Sequence, residues 1–204
     1  MRKLLVSLAI TMGVAGMAHA QQEIEGDPAA GREKAQVCAA CHGANGISAV
    51  PMFPNLAGQQ ASYLTQQLID IRDGTRAVPQ MAGIVANMSD QDFADLAAYY
   101  AELDPNLGQA DPALAEQGRK LYRAGDLAKG IPACTACHTP TGQGIGTAGY
   151  PALSGQHPEY TVATLQDFAS GARSNDPNAI MRDIASKMSD EQMQAVANYV
   201  YGLH

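Results

Sequence analysis

Cys38-Ala39-Ala40-Cys41-His42 and Cys134-Thr135-Ala136-Cys137-His138 are one pattern written twice, 96 residues apart. The chain around them repeats as well. Pro54-Asn55-Leu56-Ala57-Gly58-Gln59 returns as Pro151-Ala152-Leu153-Ser154-Gly155-Gln156. Tyr63, Leu68, Asp70, Gly74 and Arg76 return as Tyr160, Leu165, Asp167, Gly171 and Arg173, at an offset of 97. Met81, Met88, Ser89, Asp90 and Tyr99 correspond to Met181, Met188, Ser189, Asp190 and Tyr199, at an offset of 100. An offset that grows by one and then three residues is what small loop insertions leave in a duplicated unit.

Each unit reads as helical. Both open on Asp-Pro, at Asp27-Pro28 and Asp111-Pro112, an N-cap followed by a good first helical residue. Helices are expected from Tyr63 to Asp73 and from Tyr160 to Ser170. Ser89-x-x-Asp92 and Ser189-x-x-Gln192 read as capping boxes. Behind them Phe93, Leu96, Ala97 and Tyr100, and then Met193, Val196, Ala197 and Val200, hold the spacing of an amphipathic helix. No segment alternates as a half-buried strand would. Pro105, Gly108 and Pro112 interrupt the stretch from Leu103 to Pro112. The expected architecture is all-α, with one domain over residues 21–110 and a second over 111–204.

The remaining stretch, 1–20, is read as an address. Arg2 and Lys3 precede an apolar run from Leu4 to Met17 and then Ala18-His19-Ala20, which predicts a secretory signal peptide cut after Ala20. The run is shorter than the roughly 20 residues a membrane-spanning helix needs. Of 204 residues, 20 are acidic and 13 basic, so a net charge of −7 argues against holding nucleic acid. Trp is absent and aromatics make up 5%, too few for two ordinary apolar cores. Something besides side chains is expected to fill the interior.

Cys-x-x-Cys-His is the attachment signature of c-type haem. On a helical turn the positions i, i+3 and i+4 share a face. Cys38 and Cys41 therefore reach two vinyl groups of one porphyrin while His42 points at the iron, and Cys134, Cys137 and His138 do the same. A disulfide pair or a thioredoxin-like motif has no use for the trailing His, and no βαβ pattern surrounds either copy. A zinc site needs more thiolate and imidazole partners than the chain has left. Two covalently attached haems c are expected, and such an apolar group supplies the core a small domain lacks.

The opposite face of each iron needs a partner. His157 aligns with Gln60 and His204 ends the chain, so both are read as surface residues. Methionine is the other common axial ligand. Only Met81/Met181 and Met88/Met188 are paired between the repeats. Met88 and Met188 directly precede an N-cap, where an apolar staple belongs. Met81 and Met181 fall in an irregular stretch where a loop reaches over the haem, and are the favoured ligands. Pro54 and Pro151, 12 and 13 residues after the histidines, place a carbonyl where it fixes each imidazole. Arg76 and Arg173 have two open readings, pairing with haem propionates or standing as solvated charges. The Gly144-x-Gly146-x-x-Gly149 string opens no βαβ unit and is read as a flexible loop at a haem edge rather than a dinucleotide site.

Two Cys-x-x-Cys-His repeats, each followed by Phe/Tyr-Pro-x-Leu-x-Gly-Gln, Tyr-x-x-x-x-Leu-x-Asp, Met, Ser-Asp and a last helix, resemble the dihaem cytochrome c4 family from about Asp27 to His204. The resemblance implies two class I cytochrome c domains, with His42/Met81 and His138/Met181 as axial ligands. It also implies a periplasmic carrier of single electrons, often associated with the membrane. Its partners would be a quinol-oxidising complex or other donor and a terminal oxidase or reductase. Irons closed on both faces leave no position for a substrate, so a carrier is expected rather than an enzyme. The alternative is a dihaem peroxidase, or the cytochrome subunit of a sulfur-compound dehydrogenase.

Overall fold

Two aspartates begin the two halves. In the computed structural model, which describes residues 24–204, the Asp27 carboxylate accepts from the backbone N–H of Ala29 at 2.8 Å and that of Asp111 from Ala113 at 2.9 Å. Prolines that follow hold the first helical position, and α1 (Pro28–Lys34) and α6 (Pro112–Ala124) start there. The first half continues with α2 (Ala39–His42), α3 (Ala61–Arg72), α4 (Pro79–Val85) and α5 (Asp90–Ala101). The second continues with α7 (Thr135–His138), α8 (Pro158–Ser170), α9 (Ile180–Ala185) and α10 (Asp190–Tyr201). Among the described residues only isolated bridges, Asp126 with Ile131 and Ile145 with Tyr150, resemble strand pairing. The protein is all-α.

The first and last helices of each half cross where a glycine lets the backbones touch. A Cβ at Gly31 would stand 2.0 Å from the Asp95 carbonyl oxygen on α5, and one at Gly118 would stand 2.1 Å from that of Ala195 on α10. Both capping boxes form, with Ser89 and Ser189 accepting from the N–H three residues on and Asp92 and Gln192 reaching back. The apolar stripes behind them are buried: Phe93 and Ala97 are fully enclosed and Val200 nearly so. The second half has one core cluster around Leu121, Tyr122, Phe168, Met193 and Val200. In the first half the core is divided. Ala35, Leu64, Leu96 and Tyr100 form one cluster, Ile71, Val85 and Phe93 another, and Leu68 and Met88 touch both.

The halves meet through contacts that come in equivalent pairs. Gln59 donates to the Ala152 carbonyl at 2.9 Å and accepts from the Ala152 N–H at 2.7 Å. Its counterpart Gln156 grips Asn55, donating to the carbonyl at 3.0 Å and accepting from the N–H at 2.9 Å. Arg76 donates to the Tyr160 hydroxyl at 3.0 Å, and Arg173 to that of Tyr63 at 2.9 Å. Gln60 donates to the Gln143 carbonyl, and its counterpart His157 places Nε2 3.0 Å from the Ser48 carbonyl oxygen. Such reciprocity defines a pseudo-two-fold axis between the halves.

Three expectations need correction. His157 is half-buried at this joint, stacked on Tyr201, whereas His204 is exposed. The stretches carrying Met81 and Met181 are short helices, α4 and α9, because Pro79 opens one and backbone bonds close the other. The glycine string is an ordered turn. Ile145 and Tyr150 exchange two backbone bonds across it, and Ser62 of the first half donates to the Gly146 carbonyl at 2.7 Å.

Candidate haem sites

Each pentapeptide makes one turn of helix. Cys38 caps α2 and its carbonyl accepts from the N–H of Cys41 at 3.2 Å and His42 at 2.9 Å. Cys134 accepts from Cys137 and His138 at the same two distances. The two cysteines and the histidine of each copy are thus placed on one face of a single helical turn. All four cysteines are unpaired. Burial pushes the Cys38 thiol up, and that of Cys134 up to about 11. Catalytic dithiols need the opposite shift, so a redox-active pair does not fit.

The histidines are aimed by loops. His42 Nδ1 lies 2.9 Å from the Pro54 carbonyl oxygen, and His138 Nδ1 3.0 Å from that of Pro151. Both rings are buried, and burial lowers both imidazoles from their ordinary range despite the proline carbonyls. The neutral form is the one that binds metals. With the Nδ1–H donating to a carbonyl, Nε2 carries the free lone pair, and it has no protein partner among the described residues. Phe53 and Tyr150 tilt against the two rings at 6.3 Å between centroids.

Met81 and Met181 are half-buried. Met181 packs on the same cluster as Cys134, while Met81 packs on the Ile71–Val85–Phe93 cluster and Cys38 on the other one. Met88 and Met188 also border these cores. Arg76 and Arg173 lie at the joint between the halves. Arg76 donates to Gln67 and Tyr160, and Arg173 to Gln67, Tyr63 and Asn175. Arg173 is 8% exposed and stacks on Phe168 at 4.5 Å. All these partners are neutral, so two cations sit between the halves without a hydrogen-bonded carboxylate. Nothing in the spacing of Gln67 or Asn175 along the chain marks them for this place. Gln59, Gln156, Tyr63 and Tyr160 are visible as repeated positions.

A tetrapyrrole fits this arrangement. Two thiols and a neutral imidazole share a turn, thioethers border the cores of both halves, and two guanidiniums without a directly bonded carboxylate suit anionic groups. No group of three or more His, Cys, Asp or Glu side chains gathers among the described residues to hold a metal ion unaided.

The cytochrome c family matches residues 28–104 and again 115–204. Cytochrome c4 of Pseudomonas aeruginosa is 52% identical over the full length of both chains. This chain belongs to the cytochrome c4 family. The crystal structure of reduced recombinant cytochrome c4 from Pseudomonas stutzeri superposes with a TM-score of 0.86 at 48% identity, covering 88% of this chain and all of that one. A thiosulfate dehydrogenase electron acceptor of Stutzerimonas stutzeri is 41% identical, over 81% of this chain and 78% of its own length. Like other cytochromes c4, the chain carries two covalently bound haems c, one in each half, and is an electron carrier.

Proposed function

We propose that the chain is a periplasmic shuttle for single electrons, with His42 and Met81 holding one iron and His138 and Met181 the other. The observation that carries this reading is the imidazole geometry, in which Nδ1 is bound by a proline carbonyl and a buried, neutral ring offers Nε2. Haem c supplies a one-electron iron couple when bound. An uncharged imidazole and an uncharged thioether serve both oxidation states, so no proton need accompany the electron. Thioether ligation also raises the reduction potential, which suits an acceptor within a respiratory chain. Pro54 and Pro151 keep each ring in one tautomer and orientation. Arg76 and Arg173, held at the joint, would stabilise the charge of the haem propionates.

The domains are assigned to 21–110 and 111–204. The signal peptide assigned to 1–20 lies outside the described residues. No described helix is long and apolar enough to cross a membrane, and any association with one is assigned as peripheral. The donor is a quinol-oxidising complex or other donor, and the acceptor a terminal oxidase or reductase. A second reading, acceptor of electrons from a sulfur-compound dehydrogenase, is supported by the relative described as a thiosulfate dehydrogenase electron acceptor.

The test uses protein matured with the c-type haem-attachment machinery. Two pigments per chain should stay with the polypeptide in acidified organic solvent, and near-infrared magnetic circular dichroism should report His/Met ligation at both irons. Rapid reduction by quinol-oxidising membranes supports the first partner reading, and by thiosulfate dehydrogenase the second. Tight carbon monoxide binding at one reduced iron would overturn the carrier in favour of a peroxidase.

A further inference from the structure

The segments leading into Met81 and Met181 are built differently. Three extra residues precede Met181, within Ser174-Asn175-Asp176-Pro177-Asn178-Ala179. The Asp176 side chain is 4% exposed and accepts from the Arg182 guanidinium at 2.7 Å and the Arg182 N–H at 3.0 Å. This clasp closes over Asn178 and Ala179, both held at a φ of 56°. L-residues avoid that region unless their surroundings enforce it. One position earlier, Asn175 donates to Gln67 at 2.9 Å and to Asp70 at 2.6 Å, both on α3 of the other half. Its side-chain oxygen accepts from Arg173 at 2.9 Å. The approach to Met181 is therefore anchored at two successive residues, Asn175 and Asp176.

Nothing comparable precedes Met81. Val78 caps α4 without a side-chain bond. Ala77, Pro79, Gln80, Ala82, Gly83 and Ile84 are exposed. No side chain from 77 to 84 makes a hydrogen bond among the described residues. The segment is seated by Val78, Met81 and Val85 on a small cluster, and a Cβ at Gly83 would meet nothing within 4 Å. Segments with few anchors open at the lowest free energy.

Resting on the reading of Met81 and Met181 as axial ligands, we propose that Asp176 and Asn175 are positioning residues for Met181, and that Met81 is the ligand displaced first. A small neutral base such as imidazole then enters the first half before the second. One iron–sulfur bond is exchanged for one iron–nitrogen bond, and no electron moves.

The experiment titrates the oxidised two-haem protein with imidazole and follows the near-infrared thioether-to-iron charge-transfer band. Half of the intensity should vanish first, and the rest at a concentration at least about tenfold higher, the scale of one charge-assisted hydrogen bond. Met81→His should remove the first phase and keep the second. Asp176→Asn and Asn175→Ala should each lower the second midpoint several-fold and leave the first unmoved. Loss of all intensity in one phase, or a second phase indifferent to both substitutions, overturns the proposal while leaving the ligand assignment intact. Full two-haem intensity in Met81→His overturns the assignment itself, and the proposal with it.

Discussion

Gly43 and Thr139 each follow a haem-motif histidine, and both stand at positive φ, 77° and 67°, with ψ near 155°. That region is essentially reserved for glycine. At Gly43 a Cβ would also meet the Ile47 carbonyl oxygen at 2.0 Å. Thr139 holds its strained place because it is tied down: its carbonyl accepts from the Tyr122 hydroxyl at 2.7 Å, and its own hydroxyl from the Gln143 N–H at 3.1 Å. Gly43→Ala should therefore destabilise the first half by about 2–4 kcal/mol, combining strain with a steric clash. Thr139→Gly should gain about 1 kcal/mol, the relief exceeding the added freedom of the unfolded chain. Denaturant unfolding of the two-haem protein checks both. At this scale the pentapeptides and the repeated prolines are legible in the sequence because they are local patterns. The strain at Thr139 is not, since only the fold reveals its φ.

The two capping boxes look alike but answer acid differently. Hydrogen bonds from Lys34 and then from Ser89 bring the Asp92 carboxyl down to about 2. An unfolded aspartate titrates near 3.9, roughly two units higher. Its contribution is thus complete at neutral pH and is lost as pH falls through about 4 towards 2. Gln192 fills the same place before α10 and does not titrate. Protection of the α5 amides, taken relative to their intrinsic exchange rates, should fall over that window, and Asp92→Gln, which copies the second box, should flatten the response while costing less than ~1 kcal/mol at neutral pH. Helices with caps and long apolar stripes are legible in the sequence for such local reasons. The short α4 and α9 are not. One is capped by Val78 and the other by a left-handed Ala179, neither with a side-chain cap bond, and helices this short depend on packing for their existence.

The joint between the halves is hidden from the sequence for a different reason, because its partners stand 83 to 110 residues apart and nothing local predicts their meeting. The repeat does flag Gln59 and Gln156, whose role emerges only when each is seen gripping the other half's backbone. Removing Gln156 leaves the buried Asn55 N–H and carbonyl without partners, at about 1–3 kcal/mol per group, and removing Gln59 does the same to the half-buried pair on Ala152. Gln59→Ala with Gln156→Ala should split one calorimetric transition into two, whereas Gln91→Ala, on the outer surface, should not. Three kinds of clasp at separate points, Gln with backbone, Arg with Tyr, and Gln60 or His157 with a distant carbonyl, also leave no hinge. Passage of an electron from one half to the other then spans a fixed gap instead of waiting on diffusion of a swinging domain. Its time course after flash reduction should be one exponential, and thickening the solvent with glycerol should not slow it.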